Sequence, residues 1–354
     1  INQQNEEAGK REIAFTDEMF IEKDEKWKKM TNMFESLGGI AENVYQKNIG
    51  NSRGIYSIDK TKESKIFVPE QLLIQIEDID LYNGDLCLQQ SSNHSAEVKD
   101  FFNFYQKQFS WGNGGKESVE KLEIGLKNIP EVFKRFLKHK GLIDINKRHV
   151  GSSWEKIILK HFIKARIIRH RRKNVLAPVW ELVNHRVNSN PFQVLKDGVS
   201  TPKIKSNSGE ITHKYSPSTP LERLINYGFV CEESKVFSLP FEIKNDKSTQ
   251  FICKGKVIYD DNITIIKEEN KIIIDGFPVG DSNVQSLPNA YWDELMRRIN
   301  IKGIDKTFFQ RIIELNKNIR NEAIDKINEI KNNYSANMLK EVLLIESKII
   351  NQKF

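Results

Sequence analysis

Gly209-Glu210-Ile211-Thr212-His213-Lys214-Tyr215 is followed by Ser216-Pro217-Ser218-Thr219-Pro220 and then by Leu221-Glu222-Arg223-Leu224-Ile225-Asn226-Tyr227-Gly228-Phe229-Val230. The first stretch reads as a strand ending in a tyrosine. A short helix with Pro220 in its first turn comes next, and a second tyrosine precedes Gly228-Phe229. Upstream stands Asn184-His185, led by Pro178 and the apolar Trp180, Leu182 and Val183. Taken alone, an Asn-His pair is a turn and a tyrosine is core or rim. The combination at this spacing lifts them above those readings.

Outward from that stretch the texture of the chain changes several times. Residues 1–37 are charge-rich with Phe20, Trp27, Met30 and Phe34 at helical spacing, so an amphipathic helix is expected up to Gly38-Gly39. From Ile40 to Ile76 short apolar segments separated by polar turns predict strands, among them Val44-Tyr45, Gly54–Ile58 and Lys65–Pro69. A helical block is expected over 96–169, through Phe101, Phe102, Phe104 and Tyr105, then Val132, Phe133 and Phe136, then Trp154, Ile157, Ile158, Phe162 and Ile163. Val175–Val183 reads as a strand leading into a turn. Phe241–Gly280 holds further strands, including Val257-Ile258-Tyr259 and Lys271–Ile274. The tail from Tyr291 is almost all helix former, either a plain supporting bundle or a docking module.

Composition narrows the setting. The chain has 354 residues, 38% of them hydrophobic, enough for a large core and two or three domains. Lys+Arg 55 against Asp+Glu 48 gives +7, but the signs are mixed along the sequence, so nucleic acid is not the favoured partner. Arg169-His170-Arg171-Arg172-Lys173 reads as a solvated basic loop, with DNA or RNA binding there as a minor alternative. Cys87, Cys231 and Cys253 form neither a disulfide framework nor a Cys-x-x-Cys metal pattern, which fits a reducing, cytoplasmic setting. No apolar run approaches the ~20 residues of a membrane span. Because the chain begins at Ile1 rather than Met, an upstream segment and its targeting information stay open.

The order of these features resembles the SET-domain protein methyltransferases, in particular the Rubisco large-subunit methyltransferase class. The residues that carry it are Ser52-Arg53-Gly54-Ile55, the helical insertion, Pro178–His185, Gly209-Glu210, Tyr215 and Tyr227-Gly228-Phe229. The resemblance implies an α+β fold of several small sheets with a knot-like C-terminal segment, interrupted by a helical insertion. A SET domain over 1–240 is expected, divided into helix 1–37, an N-terminal part 38–95, the insertion 96–157 and a C-terminal part 158–240. A mainly helical substrate-binding domain over 241–354 follows. The cofactor implied is S-adenosyl-L-methionine, with S-adenosylhomocysteine as product, no metal, and a protein substrate docking on a monomer.

Residue by residue, Asn51, Ser52 and Arg53 correspond to the first cofactor loop, with Gly54 allowing close backbone approach. Arg53-Gly54 alone reads as a plain turn. In the segment Ile158–Ile168, taken as one helix, Arg166 matches by register the arginine that holds the cofactor carboxylate, a role suited to a two-pronged, permanently charged donor. Asn184 would take the cofactor's ammonium and the backbone of His185 the adenine edge. Tyr215 aligns with the catalytic tyrosine, Tyr227 with the second channel tyrosine, and Phe229 with the ring that packs on adenine. Such a site needs alignment and exclusion of water rather than a Ser-His-Asp set, contributions that reach roughly 7–11 kcal/mol.

Five positions depart from the pattern. Glu181 replaces an aspartate, Thr219-Pro220 replaces Ser-Asn, Ser216 stands where glycine is frequent, and Asn51 stands where a glutamate is common. Lysine is the default acceptor. Trp180 is shared with a related class that methylates a histidine, so a histidine acceptor is the variant. A SET-fold pseudoenzyme acting as a peptide-binding scaffold is the alternative from another class.

Overall fold

The computed structural model describes residues 25–49, 52–203, 209–215, 217–244, 249–258, 263–299 and 305–351. It is an α+β protein whose chain divides into two compact units, the first from residues 1–116 and 166–215, the second from 117–165 and 216–354. No helix among the described residues is long and apolar enough to cross a membrane.

The first unit opens with helix α1 over residues 25–36; the earlier part of the expected helix lies outside the described residues. Trp27, Met30 and Phe34 are buried on one face of α1, as their helical spacing requires. Strands β1 (Ile40–Glu42), β2 (Val44–Ile49), β3 (Ser52–Ser57) and β4 (Lys65–Pro69) follow, then β5 (Ile74–Gln75), β6 (Ile79–Tyr82) and β7 (Asp85–Leu88). Asn83 and Gly84 turn β6 into β7 with φ of 51° and 82°, the positive pair that a two-residue hairpin needs. Helix α2 (Ala96–Phe109) is capped by the Ser95 hydroxyl accepting from the Val98 N–H, and it buries Phe101, Phe102 and Tyr105. The Phe101 ring stacks on Phe34 at 5.6 Å, which ties α2 to α1.

After residue 165 the unit resumes with β8 (Ile167–His170), β9 (Lys173–Leu176), β10 (Asn184–His185), β11 (Gln193–Leu195), β12 (Gly198–Ser200) and β13 (Glu210–His213). The strands form small sheets, ordered β1-β4-β12-β11, β10-β13-β3-β2, β5-β9-β8 and β6-β7. In the second of these β3 runs antiparallel to β13, Tyr56 opposite Glu210, and β10 runs parallel to β13 with Asn184 opposite Thr212 and His185 opposite His213.

The second unit holds the insertion helices α3 (Lys116–Lys127), α4 (Glu131–His139), α5 (Ile145–His149) and α6 (Trp154–Lys164), then α7 (Pro220–Tyr227). Strands β14 (Lys235–Phe237), β15 (Phe241–Lys244), β16 (Gln250–Cys253), β17 (Ile265–Glu268), β18 (Lys271–Ile274) and β19 (Pro278–Asp281) come next. The long helices α8 (Leu287–Ile299), α9 (Lys306–Asn328) and α10 (Tyr334–Ile350) finish it. One core joins Leu122, Leu126, Phe133 and Leu137 of the insertion to Leu221 and Leu224 of α7 and Leu339 and Leu343 of α10. A second joins Phe251, Ile272 and Phe277 to Trp292, Phe308 and Phe309.

Two expectations are corrected. The segment Ile158–Ile168 is not one helix: α6 ends at Lys164, Ala165 caps it, and Ile167-Ile168 begin β8. The apolar residues continue the 3.6 rhythm, but β-branched Ile167 and Ile168 pair with Leu176 and Val175 instead. Val257 and Ile258 are not strand, since β16 ends at Cys253 and the chain then runs irregularly; Tyr259 lies outside the described residues.

Candidate active site

The sheet β10-β13-β3-β2 sets the geometry of the first unit's site. Gly54 in the middle of β3 is there for close approach: a β-carbon on it would lie 2.8 Å from Asn184 Nδ2 and 2.9 Å from Glu210 Oε1. Asn184 Nδ2 donates to the Arg53 carbonyl at 2.7 Å and to Glu210 Oε1 at 3.0 Å. With both amide hydrogens committed, the group left to meet a ligand is the Oδ1 acceptor, the polarity an ammonium requires.

Tyr215 follows β13 directly. Its hydroxyl donates to the Val183 carbonyl at 3.0 Å and its N–H donates to His185 Nδ1 at 3.0 Å, so the residue is fixed at both ends. The His185 ring lies 5.1 Å and the His213 ring 5.0 Å from the Tyr215 ring. His213 in turn packs against Trp180 at 4.6 Å and edge-on to Phe192 at 5.4 Å. Burial, with the nearby His185 adding to it, pushes the His213 imidazole down to about 4, so it is neutral at physiological pH.

Trp180 is presented by a strained turn. Val179 has φ 67° and ψ −50°, and the Trp180 N–H donates to the Pro178 carbonyl at 2.8 Å, a γ-turn of the rare hand. A β-branched residue held there costs of order 1–3 kcal/mol. The same turn delivers Glu181 into the interior.

Glu181 is the charged hub of the unit. Its carboxylate accepts from the Tyr105 hydroxyl at 2.9 Å, the Ser110 hydroxyl at 2.7 Å and Gln106 Nε2 at 3.3 Å, and pairs with Arg166 Nε at 2.9 Å. Arg53 reaches into the same neighbourhood, donating through one guanidinium nitrogen to the carbonyls of Phe109, Ser110 and Asn113. Burial, with the like charge of Arg166, pushes the Arg53 guanidinium down to about 10, still charged at neutral pH. Arg166 pairs with Glu181, and the Arg53 guanidinium lies close enough for the charges of both to act on it.

Of the residues expected at the site, Arg53, Arg166, Asn184, His185 and Tyr215 all lie in the first unit. Arg166 sits in the turn after α6 rather than on it. Ser52 opens β3, and Asn51 lies outside the described residues. Tyr227 and Phe229 belong to the second unit, at the end of α7, with ring centroids 6.2 Å apart. The Arg223 guanidinium stands 4.8 Å over the Tyr227 ring. Thr219-Pro220 has a local explanation: Thr219 is the N-cap of α7, it exchanges hydrogen bonds with Glu222 in a capping box, and Pro220 occupies the first helical position. Glu181 as a buried hub and the His213/Trp180 pair were missed from sequence. The signal for the first was a carboxylate inside the otherwise apolar run Val179–Val183.

No family model matches the chain, and no curated protein does. Among solved structures it is similar to the SET domain of LSMT bound to lysine and AdoHcy, with a TM-score of 0.47 and 12% identity over 93% of this chain and 90% of that one. It is also similar to Rubisco LSMT bound to AdoMet, with a TM-score of 0.46 and 13% identity over 92% and 90%. Rubisco LSMT bound to sinefungin and monomethyllysine aligns with a TM-score of 0.44 and 12% identity, over 92% and 90%. Identities of 12–13% leave the chemistry to be read from the side chains themselves.

Proposed function

We propose that the protein is an S-adenosylmethionine-dependent protein N-methyltransferase acting on a side-chain nitrogen, lysine by default and histidine as the variant. The observation that carries this reading is the convergence, in one unit, of Asn184 braced on Arg53 and Glu210, Tyr215 fixed at both ends, and the Arg53 and Arg166 guanidiniums beside Glu181.

The residues suit the cofactor's polar end. A zwitterionic amino acid needs an acceptor for its ammonium and a cation for its carboxylate, and Asn184 Oδ1 and the Arg53/Arg166 pair have those polarities. Gly54 keeps the strand flush against the asparagine, where any side chain would displace it. When bound, the cofactor supplies a methyl already activated on a sulfonium. What the protein adds is alignment and exclusion of water. Tyr215, its phenol anchored on Val183 O, is the rigid wall against which the acceptor nitrogen is oriented, and the neighbouring rings of His185 and His213 pack against it. In the same proposal the functional partition is a SET-type core over 1–240 and a protein-docking region over 241–354.

Titration calorimetry with S-adenosylmethionine tests the cofactor half: saturable one-site binding is expected, and no heat at all sinks it in favour of a scaffold. Transfer of labelled methyl to lysate proteins tests the other half, with Tyr215→Phe expected to lower the rate at least about tenfold. Equal labelling by both proteins would remove Tyr215 from the chemistry.

A further inference from the structure

His213 is 0% exposed, and neither of its ring nitrogens has a hydrogen-bond partner among the described residues. Trp180, 4% exposed and with its ring 4.6 Å away, likewise has no partner for its indole N–H. Buried polar atoms are satisfied in the great majority of cases, so two adjacent orphans in one aromatic nest call for an explanation. A phenylalanine at 213 would fill the same space with no polar atom to desolvate. The histidine also lies two residues before Tyr215 and packs on its ring. The indole is held in place by a strained γ-turn. Strain and unmet polarity concentrated on one spot are the signature of a site kept for use rather than for stability.

We propose that His213 and Trp180 are the polar lining of the acceptor pocket, where an unprotonated nitrogen of His213 accepts an N–H from the side chain to be methylated. This deepens the methyltransferase reading and rests on it. A neutral imidazole accepts a hydrogen bond without repelling the positively charged cofactor next to it, as a second cation would. Its burial keeps it in that form across the physiological range. The contact orients the acceptor nitrogen; it moves no proton in the transfer. Phe192, edge-on to both rings, closes the nest against water.

Nitrogen-detected NMR of ¹⁵N-histidine, ¹⁵N-tryptophan protein saturated with S-adenosylhomocysteine tests this directly. The probes are n-butylamine for a lysine side chain and 4-methylimidazole for a histidine side chain. One of them is expected to shift both the His213 ring nitrogens and the Trp180 indole N–H; whichever does so names the acceptor class. If neither probe moves either resonance, the two nitrogens are served by resident water and the proposal is overturned. His213→Phe is expected to melt at or above the wild-type temperature while losing at least about tenfold in probe affinity, and His213→Gln to recover part of that loss. A lower melting temperature for His213→Phe with unchanged probe affinity would assign the histidine to packing and overturn the proposal equally. Failure of S-adenosylmethionine to bind in calorimetry overturns the methyltransferase reading and the acceptor pocket with it, whereas unmoved resonances in protein that does bind the cofactor overturn the pocket alone.

Discussion

Both units bury charge, and they do so on different terms. In the second unit three buried carboxylates each have a guanidinium of their own. Arg223 pairs with Glu233 at 2.6 Å, and Arg320 pairs with Glu346 at 2.7 Å. Glu123, essentially unexposed, is held by Arg148 together with His149 and His161. In the first unit the Glu181 carboxylate pairs with Arg166 and acts on Arg53 as well. Pairs like those of the second unit brace helices and ask nothing of a ligand. Two guanidiniums gathered about one carboxylate are an arrangement that can also take a bound anion. The lesson is that stoichiometry of buried charge separates bracing from binding better than burial does.

The largest expected effect comes from removing the shared carboxylate. Glu181→Gln leaves two buried like charges facing each other, and we expect a loss of about 3–5 kcal/mol of stability by denaturant unfolding. A loss below about 1 kcal/mol would mean that the two arginines are already solvated and the contrast between the units is false.

Acid comes next, and it should act first through the second unit. Burial pushes the Glu123 carboxyl up, but hydrogen bonds from His161 and Arg148 outweigh it and hold it well below the ordinary carboxylate range. A folded-state value below the unfolded one means that the unfolded chain binds the extra proton. The stabilisation is therefore complete above the unfolded value of roughly 4.5 and is lost as pH falls below it. Melting curves from pH 7 to 3 should drop steeply for the native protein and less steeply for Glu123→Gln. Parallel curves would refute the assignment.

A smaller effect, confined to binding, is expected for Arg166→Met. It leaves Arg53 and Glu181 as a neutral pair, so the melting temperature should change little. The affinity for S-adenosylmethionine should fall about 10- to 100-fold, the worth of one charge-assisted contact. Loss of fold with retained affinity would place Arg166 among the bracing charges.

The smallest effect sharpens the comparison from the other side. Replacing both members of a bracing pair, Arg320→Met with Glu346→Leu, removes no net charge but leaves the buried Leu221 N–H without the Glu346 acceptor, so it should cost about 1–3 kcal/mol and leave cofactor binding untouched. A large loss on either count would show that this pair does more than brace.

Much of the fold was legible because it rests on periodicity. The short strands over Ile40–Ile76, the insertion helices and the helical tail all follow from apolar spacing, and the Phe101, Phe102 and Tyr105 face is buried as its rhythm requires. The error at Ile167-Ile168 has the same root, since two isoleucines fit either a helix face or a strand, and only pairing with Val175 and Leu176 decides. At the site, Asn184, Arg53 and Tyr215 were singled out as motif residues, and they share the first unit. Glu181 and His213 were not, because their roles depend on long-range neighbours: Tyr105 and Ser110 for one, Trp180 and Phe192 for the other. Thr219-Pro220 departs from the motif in sequence, and the helix start that Pro220 implied is there, capped by Thr219.

The pairing of β3 with β13 joins Tyr56 to Glu210, and the whole helical insertion lies between them in the chain. At about 5–20 residues per second on the ribosome, roughly 150 residues must be made before β3 meets that partner, a delay on the order of ten to thirty seconds. During that interval the exposed rim of β3 is a place where a nascent chain can stick to its neighbours. Holding the β2–β3 hairpin in a chaperone's hands, or slowing translation just after residue 215, should therefore govern how much usable protein a cell obtains.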